Sequence, residues 1–331
     1  MVAQLSKEYM ILSPKKALVR LISYIFFEGR PLTTRGRWIN PLVLMLGRFV
    51  ANLGYRPVVE SPIYILGQGR SGTTILGLIL SLHKAVGFLN EPKALWHTAY
   101  ENEDLAGNFT DRKAAYILTD EDATDEVQAR LCRLYSAYLL CTASRRVLDK
   151  YPELLFRVAF VQRVFPDARF LLVVRNGWDV CRSVEAWSEL HRTQNGGDHD
   201  DWWGHNDRKW NYLIDQLVVN ENDLAPLKED LRQFDRGRDR AALEWLLTMR
   251  MVERVQDQIP RDTLLVKYES LANDSHNQLQ RIFTFCNLGY EERVTRYAYS
   301  VLRTVSASRE IDLDPLIEKP FLAMMKSFDY L

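Results

Sequence analysis

Eight consecutive residues, Gly67-Gln68-Gly69-Arg70-Ser71-Gly72-Thr73-Thr74, bring together three glycines, three hydroxyls and one guanidinium. An apolar run, Ile63 to Leu66, leads into them, and an apolar-periodic segment, Ile75 to Leu80, leads out. That pattern reads as strand, phosphate-cradling turn and helix. Glycines let the backbone turn its N–H groups inward, and the helix start adds the positive end of its dipole, so the turn suits an anion. Gly67 and Gly72 have the spacing of the G-x-x-x-x-G-K-[ST] nucleotide loop, but Thr73 stands where that pattern needs lysine. Without the lysine the β- and γ-phosphates of ATP lose their main fixed charge, which weakens a kinase or ATPase reading. The positive charge sits at Arg70 instead.

Four further residues are placed to share that chemistry. Phe170 to Val174 reads as a buried strand that ends on Arg175, and Asn176-Gly177-Trp178-Asp179 as the turn into a helix. A magnesium-dependent enzyme of this type usually ends such a strand on an aspartate, whereas a cation here suits a second phosphate. Ser183, eight residues beyond Arg175, falls about two helical turns along, on the face that looks back over the strand end. Val86 to Leu89 reads as another strand, closed by Asn90-Glu91-Pro92. By position alone Glu91 is a solvated acid before a proline turn. As a carboxylate at a strand's carboxyl end it is also placed to meet a ligand of the neighbouring loop. Lys150 lies where the strand from Arg146 runs into the Lys150-Tyr151-Pro152 turn.

The Arg70-Ser71-Gly72-Thr73-Thr74 loop resembles the 5′-phosphosulfate loop of sulfotransferases that use 3′-phosphoadenosine-5′-phosphosulfate, most closely the protein-tyrosine and bacterial kinds. Val173-Val174-Arg175 through Ser183 resembles the 3′-phosphate element of the same family. The resemblance spans about residues 63–288 and implies one three-layer α/β domain: a central parallel sheet of P-loop type, helices on both faces and right-handed crossovers. It implies that Gly69, Arg70, Ser71, Gly72, Thr73, Thr74, Arg175 and Ser183 bind the donor, with no metal. Arg70 and Lys150, with Thr73, Thr74 and the loop N–H groups, would stabilise charge on the bridging and leaving-group oxygens. Cytosolic members place a catalytic histidine in a Lys-x-His segment. This chain has Lys150-Tyr151-Pro152 there, so the general base falls to Glu91, with His97 or the His191–His205 loop next in line. The glycine-and-lysine C-terminal element of cytosolic members is absent, and Arg303, Ser306, Ser308 and Arg309 stand only as candidate lid contacts. The acceptor is expected to be a carbohydrate, lipid or small alcohol rather than a protein. Two alternatives stand beside this reading: a P-loop small-molecule kinase, and a membrane-associated protein that holds nucleotide without turnover.

These residues need a scaffold, and 331 residues suffice for one large α/β domain. Lys plus Arg and Asp plus Glu both number 43, so no global field recruits nucleic acid. Cys132, Cys141, Cys181 and Cys286 form no CxxC pair and read as reduced thiols of a cytoplasmic protein. Residues 1–58 form a basic helical arm with nine Lys and Arg against Glu8 and Glu28, a formal charge of +7. Its apolar stretches, Leu18 to Phe27 and Trp38 to Val50, are broken by Arg20 and Arg48 and fall short of the roughly 18–20 residues that span a bilayer. The arm is expected either to lie peripherally on an anionic membrane or, preferably, to pack on its own domain or form a homodimer. Residues 59–331 make the α/β domain. The stretch Asp111 to Ser144 is expected to be largely helical, with Leu131, Leu134, Tyr135, Tyr138 and Leu139 on one apolar face, Asp239 to Val255 helical, and Thr263 to Leu271 a core strand and turn. The glycine-bearing insert of about 191–223, with Trp202, Trp203 and Trp210, reads equally as an acceptor lid and as a satellite hydrophobic cluster.

Overall fold

The computed structural model describes residues 2–304 and 308–331. Its strands are β1 (Ile63–Gly67), β2 (Val86–Asn90), β3 (Arg146–Lys150), β4 (Arg169–Val174), β5 (Thr193–Asn195), β6 (Asp198–Asp201), β7 (Gly204–His205) and β8 (Thr263–Lys267). Five of them pair in parallel in the order β2-β3-β1-β4-β8, and β5, β6 and β7 form a small antiparallel sheet. The central strand β1 is buried along its whole length, as an apolar run covered on both faces must be.

One face of the large sheet is covered by α4 (Thr73–Ser81), α13 (Ser275–Phe285) and α14 (Glu292–Val301). The other carries α5 (Lys93–Ala99), α6 (Asp125–Thr142), α7 (Val158–Val164), α8 (Gly177–His191), α11 (Gly237–Gln258) and α15 (Pro315–Ser327). The chain therefore leaves β1 towards one face and leaves β3 and β4 towards the other. In an open parallel sheet that divergence opens a crevice beyond the carboxyl ends of the strands.

The arm lies on the domain through α1 (Lys7–Leu12), α2 (Pro14–Phe26) and α3 (Asn40–Ala51). The Tyr9 hydroxyl is 2.6 Å from Ser81 Oγ, and Lys16 Nζ donates to the Val86 carbonyl at 2.7 Å. Arg20, which interrupts the apolar pattern of α2, is buried in a two-pronged ion pair with Glu28. Glu28 in turn accepts from the Asn90 N–H at 2.7 Å, so the arm is fastened to the end of β2.

The helix expected over 111–144 begins only at Asp125, where the Thr124 side chain accepts from the Val127 N–H. Upstream, main-chain groups are committed to distant partners instead of to a helical ladder. Ala114 N–H donates to the Tyr212 hydroxyl at 3.1 Å, Tyr116 N–H to Gln216 Oε1 at 2.6 Å, and buried Arg157 takes the Ala115 and Tyr116 carbonyls. Within α6 the expected stripe is buried at Leu131, Leu134, Tyr135 and Tyr138 and half-buried at Leu139. The 191–223 insert holds β5 to β7 and then α9 (Arg208–Gln216).

Candidate active site

Four neighbouring strands deliver a site residue at their carboxyl ends: Arg70 after β1, Glu91 after β2, Lys150 on β3 and Arg175 after β4. The β1 loop closes tightly. Gly72 caps α4 at φ 90°, and a Cβ there would come within 2.2 Å of the Tyr268 ring. A Cβ on Gly69 would meet the Trp202 ring at 2.5 Å. Arg70 accepts a positive φ of 72°. Ser71 Oγ is buried without a hydrogen-bond partner among the described residues, in line with a hydroxyl kept for something outside the chain.

The two expected halves of the donor site meet. Arg70 Nε donates to Ser183 Oγ at 3.0 Å, and Arg175 Nη1 donates to the Arg70 carbonyl at 3.2 Å. The Arg175 guanidinium lies 4.8 Å from the Tyr268 ring centre and 3.6 Å from Asp179, while its Nε has no partner among the described residues. Burial of its inner part and the adjacent Arg175 both push the Arg70 guanidinium below its ordinary pKa, so an anion between the two relieves a repulsion. Asp179 also accepts from Arg182 at 2.7 Å and from Ser308 Oγ at 2.8 Å, and Arg182 bonds the Arg309 carbonyl at 2.5 Å. The segment at Ser308 and Arg309 is thus drawn over α8, whereas Arg303, two residues beyond α14, bonds back to the Ser300 carbonyl at the end of that helix. Ser306 lies outside the described residues.

Glu91 sits at φ 49° with its N–H on the Lys150 carbonyl at 2.6 Å. Its carboxylate takes the Lys150 ammonium, and Lys93 Nζ is 3.9 Å away. Burial works to raise the Glu91 pKa, but Lys150 and Lys93 outweigh it and hold the carboxylate below its ordinary value. Lys93 continues to Glu153 at 3.5 Å. Glu153 is held down at about 2, against burial, by Lys93, Lys209 and Lys150.

Opposite stands the insert. Lys209 of α9 and Glu244 of α11, both buried, pair at 2.6 Å. Glu244 also accepts from Gln68 Nε2 at 3.1 Å and Trp202 Nε1 at 2.8 Å, so it ties the anion loop, the insert and the core together. The tryptophans divide: Trp203 and Trp210 are core, packed edge to face, while Trp202 lies edge to face with Trp187 beside the loop. Between loop and insert is a cavity of about 470 Å³, and Arg70, Thr73, Thr74, Glu91, Lys150 and Trp202 all line it. His191, stacked on Trp187, also lines it. His97 is buried against Phe109, with burial lowering its pKa, and His205 pairs with Asp200.

The family model described as the sulfotransferase family matches residues 62–228. The chain belongs to the sulfotransferase family. Membership decides against the small-molecule kinase. Among curated relatives it is 23% identical, over 75% of its length, to an uncharacterized protein of Aquifex aeolicus, and 25% identical, over 37%, to the nodulation protein NoeE of Sinorhizobium fredii. These matches cover 28% and 30% of the two relatives, so the chain spans under a third of their length. Similar solved structures include sulfotransferase STF1 from Mycobacterium tuberculosis, 15% identical, with 98% of this chain and 94% of that one covered and a TM-score of 0.48. The sulfotransferase domain from the curacin biosynthetic pathway is 14% identical, with 82% and 99% covered and a TM-score of 0.47.

Sequence reasoning about this sulfotransferase-family chain missed Lys93, Glu153, Lys209 and Glu244, all of which line the cavity. One signal was present. Glu244 is a lone carboxylate inside Ala241-Ala242-Leu243-Glu244-Trp245-Leu246-Leu247, and an acid in so apolar a run must have a partner.

Proposed function

We propose that this chain transfers a sulfuryl group from 3′-phosphoadenosine-5′-phosphosulfate to a hydroxyl of a carbohydrate, lipid or small alcohol, without a metal. The observation that carries the reading is the convergence of Arg70, Lys150, Arg175 and one carboxylate, Glu91, at the ends of four adjacent strands beside the start of α4. The residues fit a polyanionic donor: two guanidiniums, an ammonium, and buried Ser71 Oγ and Arg175 Nε left without partners among the described residues.

In this reading Gly69 to Thr74 wrap the 5′ end of the donor through main-chain N–H groups and hydroxyls. Arg175 and Ser183 take the 3′-phosphate, and Arg70 joins the two regions. Glu91 accepts the proton of the attacking hydroxyl as the new S–O bond forms. Arg70 and Lys150 receive the charge left on phosphate as the old S–O bond breaks. Lys150 serves both events. Its move from Glu91 to the donor oxygens frees the carboxylate and raises its basicity at the moment a base is needed. The four free cysteines, Cys141 of them exposed, fit a reducing compartment such as the cytoplasm.

The test is to incubate the protein with the donor and pooled acceptors and to follow adenosine 3′,5′-bisphosphate and sulfated product by mass spectrometry. Acceptor-dependent release of both supports the assignment. Tight binding of adenosine 3′,5′-bisphosphate with no turnover on any acceptor makes the chain a nucleotide-binding protein instead. Tighter binding of magnesium ATP than of adenosine 3′,5′-bisphosphate removes the donor assignment.

A further inference from the structure

Helix α3 is apolar on two sides but buried on one. Val43, Gly47 and Ala51 face the domain, where a Cβ on Gly47 would come within 3.0 Å of Thr98 Oγ1. Leu42, Met45, Leu46 and Phe49, at i, i+3, i+4 and i+7, form the opposite side, and all four are exposed. Trp38, just before the helix, is 83% exposed and Phe49 is 68% exposed. A helix that is apolar all round is normally covered all round. Five large side chains left bare on one surface mark a binding face rather than scattered surface residues.

The arm's own charges around this face have one sign. From Gly29 to Val59 the chain has no Asp or Glu, while Arg35, Arg48 and Arg56 are exposed; Arg37 is set apart, lining a shallow pocket with Asp111, Asp198 and Asp200. Arg133 adds a cation at the carboxyl end of α3, bonded to the Ala51 and Tyr55 carbonyls at 2.6 and 2.7 Å. The Glu101 carboxylate, on the element that follows α5, is taken up by Arg112. We propose that α3 and Trp38 seat the protein on an anionic lipid surface, with the helix lying in the plane of the membrane. Apolar side chains would enter the headgroup boundary, and the arginines would meet lipid phosphates and carboxylates. No helix among the described residues is long and apolar enough to cross a membrane, so this is a surface contact. A second copy of the chain fits less well. A two-fold dimer through this patch sets the patch against itself, arginines facing arginines with no acid from Gly29 to Val59 to pair them. The loop between α2 and α3, residues 29–34, is also a wall of the 470 Å³ cavity, so docking places that wall next in the chain to the bilayer contact.

The experiment is co-sedimentation of the full chain with vesicles of phosphatidylcholine alone or with about 30% phosphatidylserine, at low and high salt. Binding to the anionic vesicles, weakened by salt, is expected. Trp38→Ser with Phe49→Ser should weaken it at least about tenfold, and Arg35→Gln with Arg48→Gln by a similar factor. All four side chains are exposed, so unchanged thermal midpoints verify that the variants fold. Three results would each overturn the proposal. One is no binding to anionic vesicles. Another is binding indifferent to both variants. The third is concentration-dependent self-association abolished by the Trp38 and Phe49 changes, which would make the face a subunit contact.

Discussion

Replacing Glu91 by glutamine separates a proton acceptor from a structural acid, because the two roles predict different sizes and different pH behaviour. Removing a positioned base costs about 10²–10⁴ in rate, or about 2.7–5.4 kcal/mol of barrier. The structural cost can be set beside it. Glu91 holds the ammonium of Lys150, which is 2% exposed, and outright loss of a buried partner costs about 3–5 kcal/mol. Here the glutamine amide oxygen still accepts from Lys150 and the Glu91 side chain is 35% exposed, so a loss of about 1–2 kcal/mol and a few degrees of thermal midpoint is expected. The pH profile carries a sharper test. Lys150 and Lys93 hold the free carboxylate below its ordinary 4.5, so the acid limb of kcat/KM should lie below that value. Once Lys150 has moved to the donor, the acid limb of kcat should lie higher. Measuring kcat, KM and thermal midpoint on one preparation decides the matter. Near-normal kcat with a lowered midpoint, or coincident acid limbs in the two profiles, would refute the base assignment and turn the search to His191.

Three further outcomes follow from the same geometry. Arg175→Ala should weaken adenosine 3′,5′-bisphosphate by about 1.5–3 kcal/mol, roughly 10- to 150-fold, and hardly affect adenosine 5′-phosphosulfate; equal losses in calorimetry would show that Arg175 acts only by bracing the Arg70 loop. Glu244→Leu should cost about 3 kcal/mol in urea unfolding by stranding buried Lys209, and adding Lys209→Met should recover at least half, unless Glu153 already satisfies that lysine. Asp149 is fully buried, and burial raises its carboxyl to about 7 although Tyr135 and Trp96 both donate to it. The folded state therefore holds the proton more tightly than the unfolded chain, and stability should fall as pH rises from about 4 to about 7. Asp149→Asn should flatten that fall in a melting series but not remove it, because burial also raises Glu103 to about 7.

What was legible in the sequence was local. The β1 turn declares itself because Gly72 needs φ 90° and a bare Cα beneath Tyr268, and β4 because five residues covered on both faces, Phe170 to Val174, show an unbroken apolar run. Arg175 and Ser183 follow from the length of one strand and the pitch of one helix. The stretch from Asp111 to Ser144 was legible as helix only from Asp125 on, and the Thr124 cap that starts it there was not read. Residues 114–116 were not legible, since their main-chain partners, Tyr212 and Gln216, lie about a hundred residues away. The charged wall of the cavity was hidden for the same reason. Lys93, Glu153, Lys209 and Glu244 come from four separate elements, and nothing in any one of them states that the other three are near. Glu244 alone betrays itself, by its place among Leu243, Trp245 and Leu246. An isolated buried carboxylate is too costly to keep ionised, so its presence there implies donors from elsewhere. Those donors are Gln68 of the anion loop, Trp202 of the insert and Lys209 of α9. One acid in an apolar helix thereby fixes how the insert sits against the loop that it faces.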